Sequence, residues 1–142
     1  MRTRPFALRR LDHVVLRVRD LARMRAFYCD VLGCVVEREQ PELGLTQLRA
    51  GDSLIDLITV DGRLGRAGGA PPERTAHNVD HLCLAVAPYD EAAIRGFLAD
   101  HGAAVGEAGS RYGAEGEGPS LYLLDPEGNN LELKGPPRLP PS

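Results

Sequence analysis

Two histidines and two carboxylates stand at matching places in the two halves of the chain. His13 lies in Leu11-Asp12-His13-Val14-Val15-Leu16-Arg17-Val18, and His81 lies in the similar phrase Val79-Asp80-His81-Leu82-Cys83-Leu84-Ala85-Val86. Each half also closes on a strand with a carboxylate at its centre: Asp56 in Leu54-Ile55-Asp56-Leu57-Ile58 and Glu132 in Asn130-Leu131-Glu132-Leu133-Lys134. Two imidazoles with one or two carboxylates suit Zn²⁺, Fe²⁺, Mn²⁺, Co²⁺ or Ni²⁺ and leave positions open for water and substrate. A buried hydrogen-bond network between histidine and carboxylate would use the same residues and is the plainer alternative. A carboxylate among Leu and Ile is the stronger anomaly, because burying an unpaired charge costs several kcal/mol.

The elements around these residues decide whether they converge. Residues 10–18 alternate with period two and are expected as a first strand. Side chains two apart on a strand leave on the same face, so Val14, Leu16 and Val18 form an apolar face opposite His13. Leu82, Leu84 and Val86 oppose His81 in the same way, and Leu131 and Leu133 oppose Glu132. Both faces of the fourth strand are largely apolar, so Asp56 is placed on the histidine side by analogy with Glu132. A helix is expected from Leu21 to Leu32, with Asp20 as N-cap and Gly33 as stop. Strands at residues 34–39, 45–50 and 53–59 complete a β-α-β-β-β half.

Residues 61–77, rich in glycine and proline, read as a linker. The second half, residues 78–135, repeats the first. A strand spans Val79–Ala87, and a helix beginning at Tyr89-Asp90 turns Ala92, Ala93, Ile94, Phe97 and Leu98 inward and ends at Gly102. A strand at 103–108 precedes a glycine-rich loop at 109–119. Strands at 120–124 and 130–134 are joined by the turn Asp125-Pro126-Glu127-Gly128-Asn129. Phe97, Asp100, Gly102, Val105 and Glu107 echo Phe27, Asp30, Gly33, Val36 and Glu37 with a one-residue gap, which supports an internal repeat.

Composition narrows the class. The 142 residues suit one domain, and the net charge of −3 with scattered basic residues excludes a nucleic-acid stripe or a basic membrane helix. Three cysteines without CxxC spacing argue against a disulfide framework and for a reducing, cytoplasmic setting. The opening residues lack the apolar core of a signal peptide, and no apolar run is long enough to span a membrane. Residues 1–9 and the proline-rich 136–142 are expected as loose termini.

The two β-α-β-β-β halves, the paired Asp-His openings and the Asp-Pro-Glu-Gly-Asn…Glu ending resemble the vicinal oxygen chelate superfamily over residues 10–135. That group includes glyoxalase I, methylmalonyl-CoA epimerase, fosfomycin-resistance enzymes, extradiol dioxygenases and bleomycin-binding proteins. The resemblance implies an α+β fold of two βαβββ modules (10–60 and 78–135) forming one domain with a cupped mixed sheet. It also implies one divalent metal per site, held by His13, Asp56, His81 and Glu132, and a homodimer in which a site can draw ligands from one chain or from both. Glyoxalase I-like sequences place Glu or Gln at the fourth-strand position, where this chain has the shorter Asp56. Without Asp56, His13, His81 and Glu132 remain as the two-histidine, one-carboxylate triad of iron oxygenases.

The leading expectation is a lyase or isomerase resembling glyoxalase I, acting on a small metabolite with vicinal oxygens. The metal would stabilise an enolate, and Glu132 or Asp56 would act as base. The rival readings are Fe²⁺ extradiol dioxygenation on the three-residue triad and metal-free sequestration of a small molecule such as an antibiotic. Substrate-side candidates are Arg17, which matches an arginine used near glutathione, Tyr122 on the cavity side of its strand, and Arg111 on a possible lid. Cys83 shares the His81 face but is expected as a buried, inert thiol. His77 and His101 are expected at the surface.

Overall fold

Each half of the chain pairs its first strand with its last, in parallel. In the computed structural model, which describes residues 3–139, β1 (His13–Val18), β2 (Val35–Gln40), β3 (Leu45–Ala50) and β4 (Ser53–Thr59) form a sheet ordered β1-β4-β3-β2. The second half repeats this with β5 (Leu82–Ala85), β6 (Ala104–Gly113), β7 (Gly116–Leu124) and β8 (Asn130–Lys134), ordered β5-β8-β7-β6. In both sheets the first and last strands are parallel and the remaining neighbours antiparallel. The α+β architecture of two βαβββ modules is therefore present. Two compact units result, one built from residues up to Leu21 with Tyr28–Pro71 and the other from Ala22–Phe27 with Pro72 onward.

The first unit's sheet buries one face. Val14 pairs with Ile55, Leu16 with Leu57, and Leu48 with Ile55 across the neighbouring ladder, and Val18, Leu48, Ile55 and Leu57 are all buried. The opposite face carries His13, Val15, Arg17, Asp56 and Gln47. The second unit's sheet repeats the division. Leu121, Leu123, Leu131 and Leu133 are buried on one face, and Cys83, Tyr122, Glu132 and Lys134 lie on the other.

The first helix is shorter than its spacing predicts. α1 covers Leu21–Ala26, and Phe27–Val31 widen into a π-helical turn. Gly33 ends it as expected: at φ +85° it donates to Cys29 O, the single bond of an αL cap, while Cys34 N reaches back six residues to Tyr28 O. In the second unit α2 covers Glu91–Asp100, and Asp90 caps it by accepting from Ala93 N at 3.1 Å. Leu98 is buried there, but Phe97 is 48% exposed and stacks on the His101 ring at 4.3 Å. The echo between Phe97 and Phe27 is thus one of sequence, not of burial.

Three segments differ from expectation. β5 begins at Leu82, so His81 sits just ahead of the ladder. The stretch 109–119, expected as a glycine-rich loop, is strand: Gly109 pairs with Ser120, Arg111 with Gly118 and Gly113 with Gly116, and only Ala114 and Glu115 make the turn. Glycine-rich composition concealed the pairing because the ladder is made by backbone groups that every residue carries. Residues 136–139, expected as loose, run beside β7, with Leu139 bridged to Glu117 and Arg138 N donating to Glu117 O at 2.7 Å. Residues 1–2 and 140–142 of the expected loose termini lie outside the described residues.

The linker is held down over its first ten residues. A short 3₁₀ turn covers Gly65–Gly68, and Arg17 donates from Nε to Gly65 O at 3.1 Å, from Nη1 to Ala70 O at 3.2 Å and from Nη2 to Gly69 O. Gly65 is buried, and a Cβ there would overlap the Thr59 carbonyl. Arg17 is therefore the clasp of this segment. Replacing Arg17 with Met keeps the stem and removes all three donors. Trypsin cleavage after Arg66 and Arg74 is then expected to accelerate at least about fivefold, because cleavage follows local opening. The global unfolding free energy from a urea melt should fall by no more than about 1 kcal/mol. Limited proteolysis beside a urea melt checks both; unchanged cleavage would mean that the clasp does not hold the linker.

Candidate metal centre

Register brings the second unit's candidates together. Cys83 pairs with Glu132 across the parallel ladder, and Tyr122 pairs with Glu132 across the antiparallel one. His81, two residues before Cys83, therefore stands diagonally across from Glu132 on the same face. The Glu132 side chain is buried, and each oxygen is engaged: Oε1 faces His81 Nε2 at 3.1 Å, and Oε2 accepts from Ser120 Oγ at 2.5 Å. Burial alone would push the Glu132 carboxyl up. Hydrogen bonds from Ser120, Tyr122 and Cys83, with the His81 ring nearby, outweigh it and hold the pKa below the ordinary glutamate value.

The other histidine nitrogen has its own partner. His81 Nδ1 lies 2.7 Å from Asp80 Oδ2, so a carboxylate faces each ring nitrogen, Asp80 at Nδ1 and Glu132 at Nε2. The Tyr122 ring meets the His81 ring edge-on at 5.6 Å, and the Arg111 guanidinium lies 5.6 Å over Tyr122. Arg111 also faces Glu107 at 3.5 Å and donates to Ser110 O at 3.0 Å. Cys83 is exposed, not buried as expected. Its thiol is nevertheless pushed up to about 11, first by desolvation and then by the Glu132 charge, so it is a poor nucleophile at neutral pH.

The first unit holds the counterpart of this arrangement. Val15 pairs with Asp56 and Gln47 pairs with Asp56, so His13 stands to Asp56 as His81 stands to Glu132. His13 Nδ1 lies 2.8 Å from Asp12 Oδ1. The Asp12 hydrogen bond raises the imidazole pKa above its ordinary value, against desolvation and with help from the Asp56 charge. Asp56 is only 3% exposed, and its Oδ2 accepts from Gln47 Nε2 at 3.1 Å. Its Oδ1 is buried and without a partner. The shorter side chain leaves one oxygen unsatisfied where Glu132, in the other unit, reaches its histidine.

Among the described residues, no three His, Cys, Asp or Glu side chains cluster closely enough to hold an ion. Each unit assembles one histidine and one carboxylate. Within each unit the donors are of the kind a divalent metal takes. Each pairs an imidazole whose Nδ1 faces a carboxylate with a buried carboxylate on the same face, and the orphaned Asp56 Oδ1 is an acceptor that a cation would satisfy. Asp12 and Asp80 had been visible only as part of a repeated Asp-His dipeptide. Ser120 and Gln47 gave no signal in sequence, since their importance comes from strand pairing. His77 and His101 are exposed as expected, and Arg17 is engaged with the linker carbonyls.

Comparison with known proteins agrees with this architecture. The virulence protein STM3117 from Salmonella typhimurium is 25% identical, with a TM-score of 0.73 over 92% of this chain and 99% of that one. A protein from the mobile metagenome of V. Pseudocholerae is 28% identical, with a TM-score of 0.69 over 92% of this chain and 96% of that one. Lactoylglutathione lyase from Agrobacterium tumefaciens, 23% identical, shares the fold with a TM-score of 0.63 over 93% of this chain and 96% of that one. No curated protein matches the sequence. Residues 10–133 match the Glyoxalase/Bleomycin resistance protein/Dioxygenase superfamily, and the chain belongs to that superfamily.

Proposed function

We propose that the chain is a divalent-metal-dependent lyase or isomerase of the glyoxalase type, acting on a small metabolite with neighbouring oxygens. His13, Asp56, His81 and Glu132 are the proposed ligands. The observation that carries this reading is the matched diagonal of histidine and buried carboxylate in the two sheets, each histidine backed at Nδ1 by the preceding aspartate. When bound, the metal supplies Lewis-acid stabilisation of the negative charge that develops on substrate oxygen during proton removal.

The protein's own groups handle the proton. Glu132, held ionised by its hydrogen bonds, accepts a proton from one carbon and returns it to the neighbouring atom. Ser120 keeps the carboxylate oriented through Oε2 while Oε1 exchanges partners. Asp56 is the second candidate base. Tyr122, paired with Glu132 across the ladder and lying under the Arg111 guanidinium, is a proposed donor to substrate oxygen. Arg17 enters as a positioning residue whose hydrogen bonds shape the segment flanking its strand.

Cys29, Cys34 and Cys83 form no disulfide among the described residues, which supports a cytoplasmic setting. No helix among the described residues is long and apolar enough to cross a membrane. The proposal includes a homodimer.

Metal content per chain, measured by mass spectrometry on untagged protein, tests the reading first. Near-stoichiometric metal in wild type and a strong reduction in Asp56→Ala are expected. Metal fully retained in Asp56→Ala would leave the three-residue triad and favour Fe²⁺ extradiol chemistry. No metal in either protein after reconstitution would remove both enzymatic readings and leave a small-molecule binding protein. Asp80→Asn should weaken metal binding by about 10–100-fold, since the partner of a ligating imidazole fixes its tautomer; unchanged affinity in a competition titration would deny Asp80 that role.

Mixing His13→Ala with His81→Ala protein asks whether ligands come from two chains. With sites shared across a dimer, random exchange restores about a quarter of wild-type metal, because half the dimers regain one of two sites. Sites confined to one chain would show no recovery.

A further inference from the structure

A cavity of about 310 Å³ opens on the second sheet, lined by His81, Glu132, Lys134 and the hairpin tip at Tyr112, Gly113 and Glu115. All of these residues belong to the second unit. The volume is at the small end of ligand pockets, which run from roughly 300 to 1,000 Å³. Lys134 is the only lysine in the chain, and it follows Glu132 by two residues on β8, so both side chains leave on one face.

Lys134 is 8% exposed. Its stem threads between two glycines of the β6–β7 hairpin: a Cβ at Gly113 would lie 2.7 Å from Cε, and one at Gly118 would lie 3.0 Å from Nζ. The hairpin thus leaves room for a lysine stem at the cost of two side chains. Among the described residues its ammonium makes no hydrogen bond or ion pair. Both neighbouring carboxylates are accounted for, since Glu132 is engaged by His81 and Ser120 while Glu115 is exposed at the hairpin tip. The Lys134 nitrogen is not among the fully buried polar atoms that lack a partner, so it meets the solvent of the cavity. An anion entering the cavity would replace that solvent with a charge-assisted hydrogen bond.

We propose that this cavity binds its ligand through a small anionic group, a carboxylate or a phosphoryl or phosphonyl oxygen set, seated on Lys134 beside Glu132. This deepens the proposed function, on which it rests for the reacting end of the site, by making the substrate a small anion. Lys134 is then a specificity residue that fixes which end of the substrate faces His81 and Glu132.

The single lysine makes the test direct. Protein carrying ¹³Cε-lysine gives one lysine signal, which is titrated with inorganic phosphate, with acetate and with neutral acetamide, both metal-free and after Zn²⁺ loading. A saturable shift with phosphate or acetate and none with acetamide is expected, and the tighter anion identifies the phosphoryl or the carboxylate source. A signal unmoved by both anions up to about 20 mM, weaker than any useful affinity, would overturn the proposal. So would an equal response to acetamide.

Lys134→Met should lose at least about tenfold in anion affinity by calorimetry and keep wild-type metal content. Anion affinity equal to wild type would also overturn the proposal, and if the variant does not fold the wild-type spectrum decides alone. Metal bound with an unmoved lysine signal would sink this inference only. A moving signal without bound metal would sink the metal reading and leave the anion site standing.

Discussion

Parallel pairing of the first and last strand of each module is the constraint on which the candidate site depends. It sets the histidine two residues before the partner of the carboxylate, as Val15 meets Asp56 and Cys83 meets Glu132. A slip of one residue would turn every side chain of the strand to the other face. The apolar rows Leu16–Leu57 and Leu84–Leu133 oppose such a slip, because the buried Leu57 and Leu133 have to stay covered. Leucine packing on one side of each sheet thus fixes where polar chemistry stands on the other.

The two units solve the same polar problem differently. Glu132 is satisfied at both oxygens, with Ser120 on one and His81 on the other. Asp56, one methylene shorter, has Gln47 on one oxygen and nothing on the other. An unsatisfied buried acceptor costs about 1–3 kcal/mol, a price that a purely structural residue would have little reason to carry.

A third feature belongs to the β6–β7 hairpin. Its glycines at 113 and 118 admit the Lys134 stem, and its tip closes one side of the cavity. The same hairpin places Arg111 over Tyr122, and Tyr122 against both His81 and Glu132. Stacking and hydrogen bonding therefore join a segment rich in glycine to a buried carboxylate of the second unit. Cys83 lies among these groups, exposed yet with its thiol pushed up by partial desolvation and by the Glu132 charge, which keeps it from acting as a nucleophile at neutral pH.

Much of this was determined by the amino-acid sequence itself. Period-two alternation marked β1, β5 and β8, and the repeated Asp-His phrase marked the two modules, because apolar faces must alternate with whatever faces away from the core. Gly33 and Gly102 marked the helix ends, since each adopts the positive φ that other residues resist. The positions of His13, His81 and Glu132 on the non-leucine faces followed from the same periodicity. Tertiary structure alone decided the rest. Pairing turned residues 109–119 from loop into strand, gave Arg17 to the linker carbonyls, exposed Phe97, placed Ser120 and Gln47 at the carboxylates, and seated the Lys134 stem against the hairpin glycines. Each of those outcomes depends on which distant backbone or side chain lies opposite, and no local pattern of residue types carries that information.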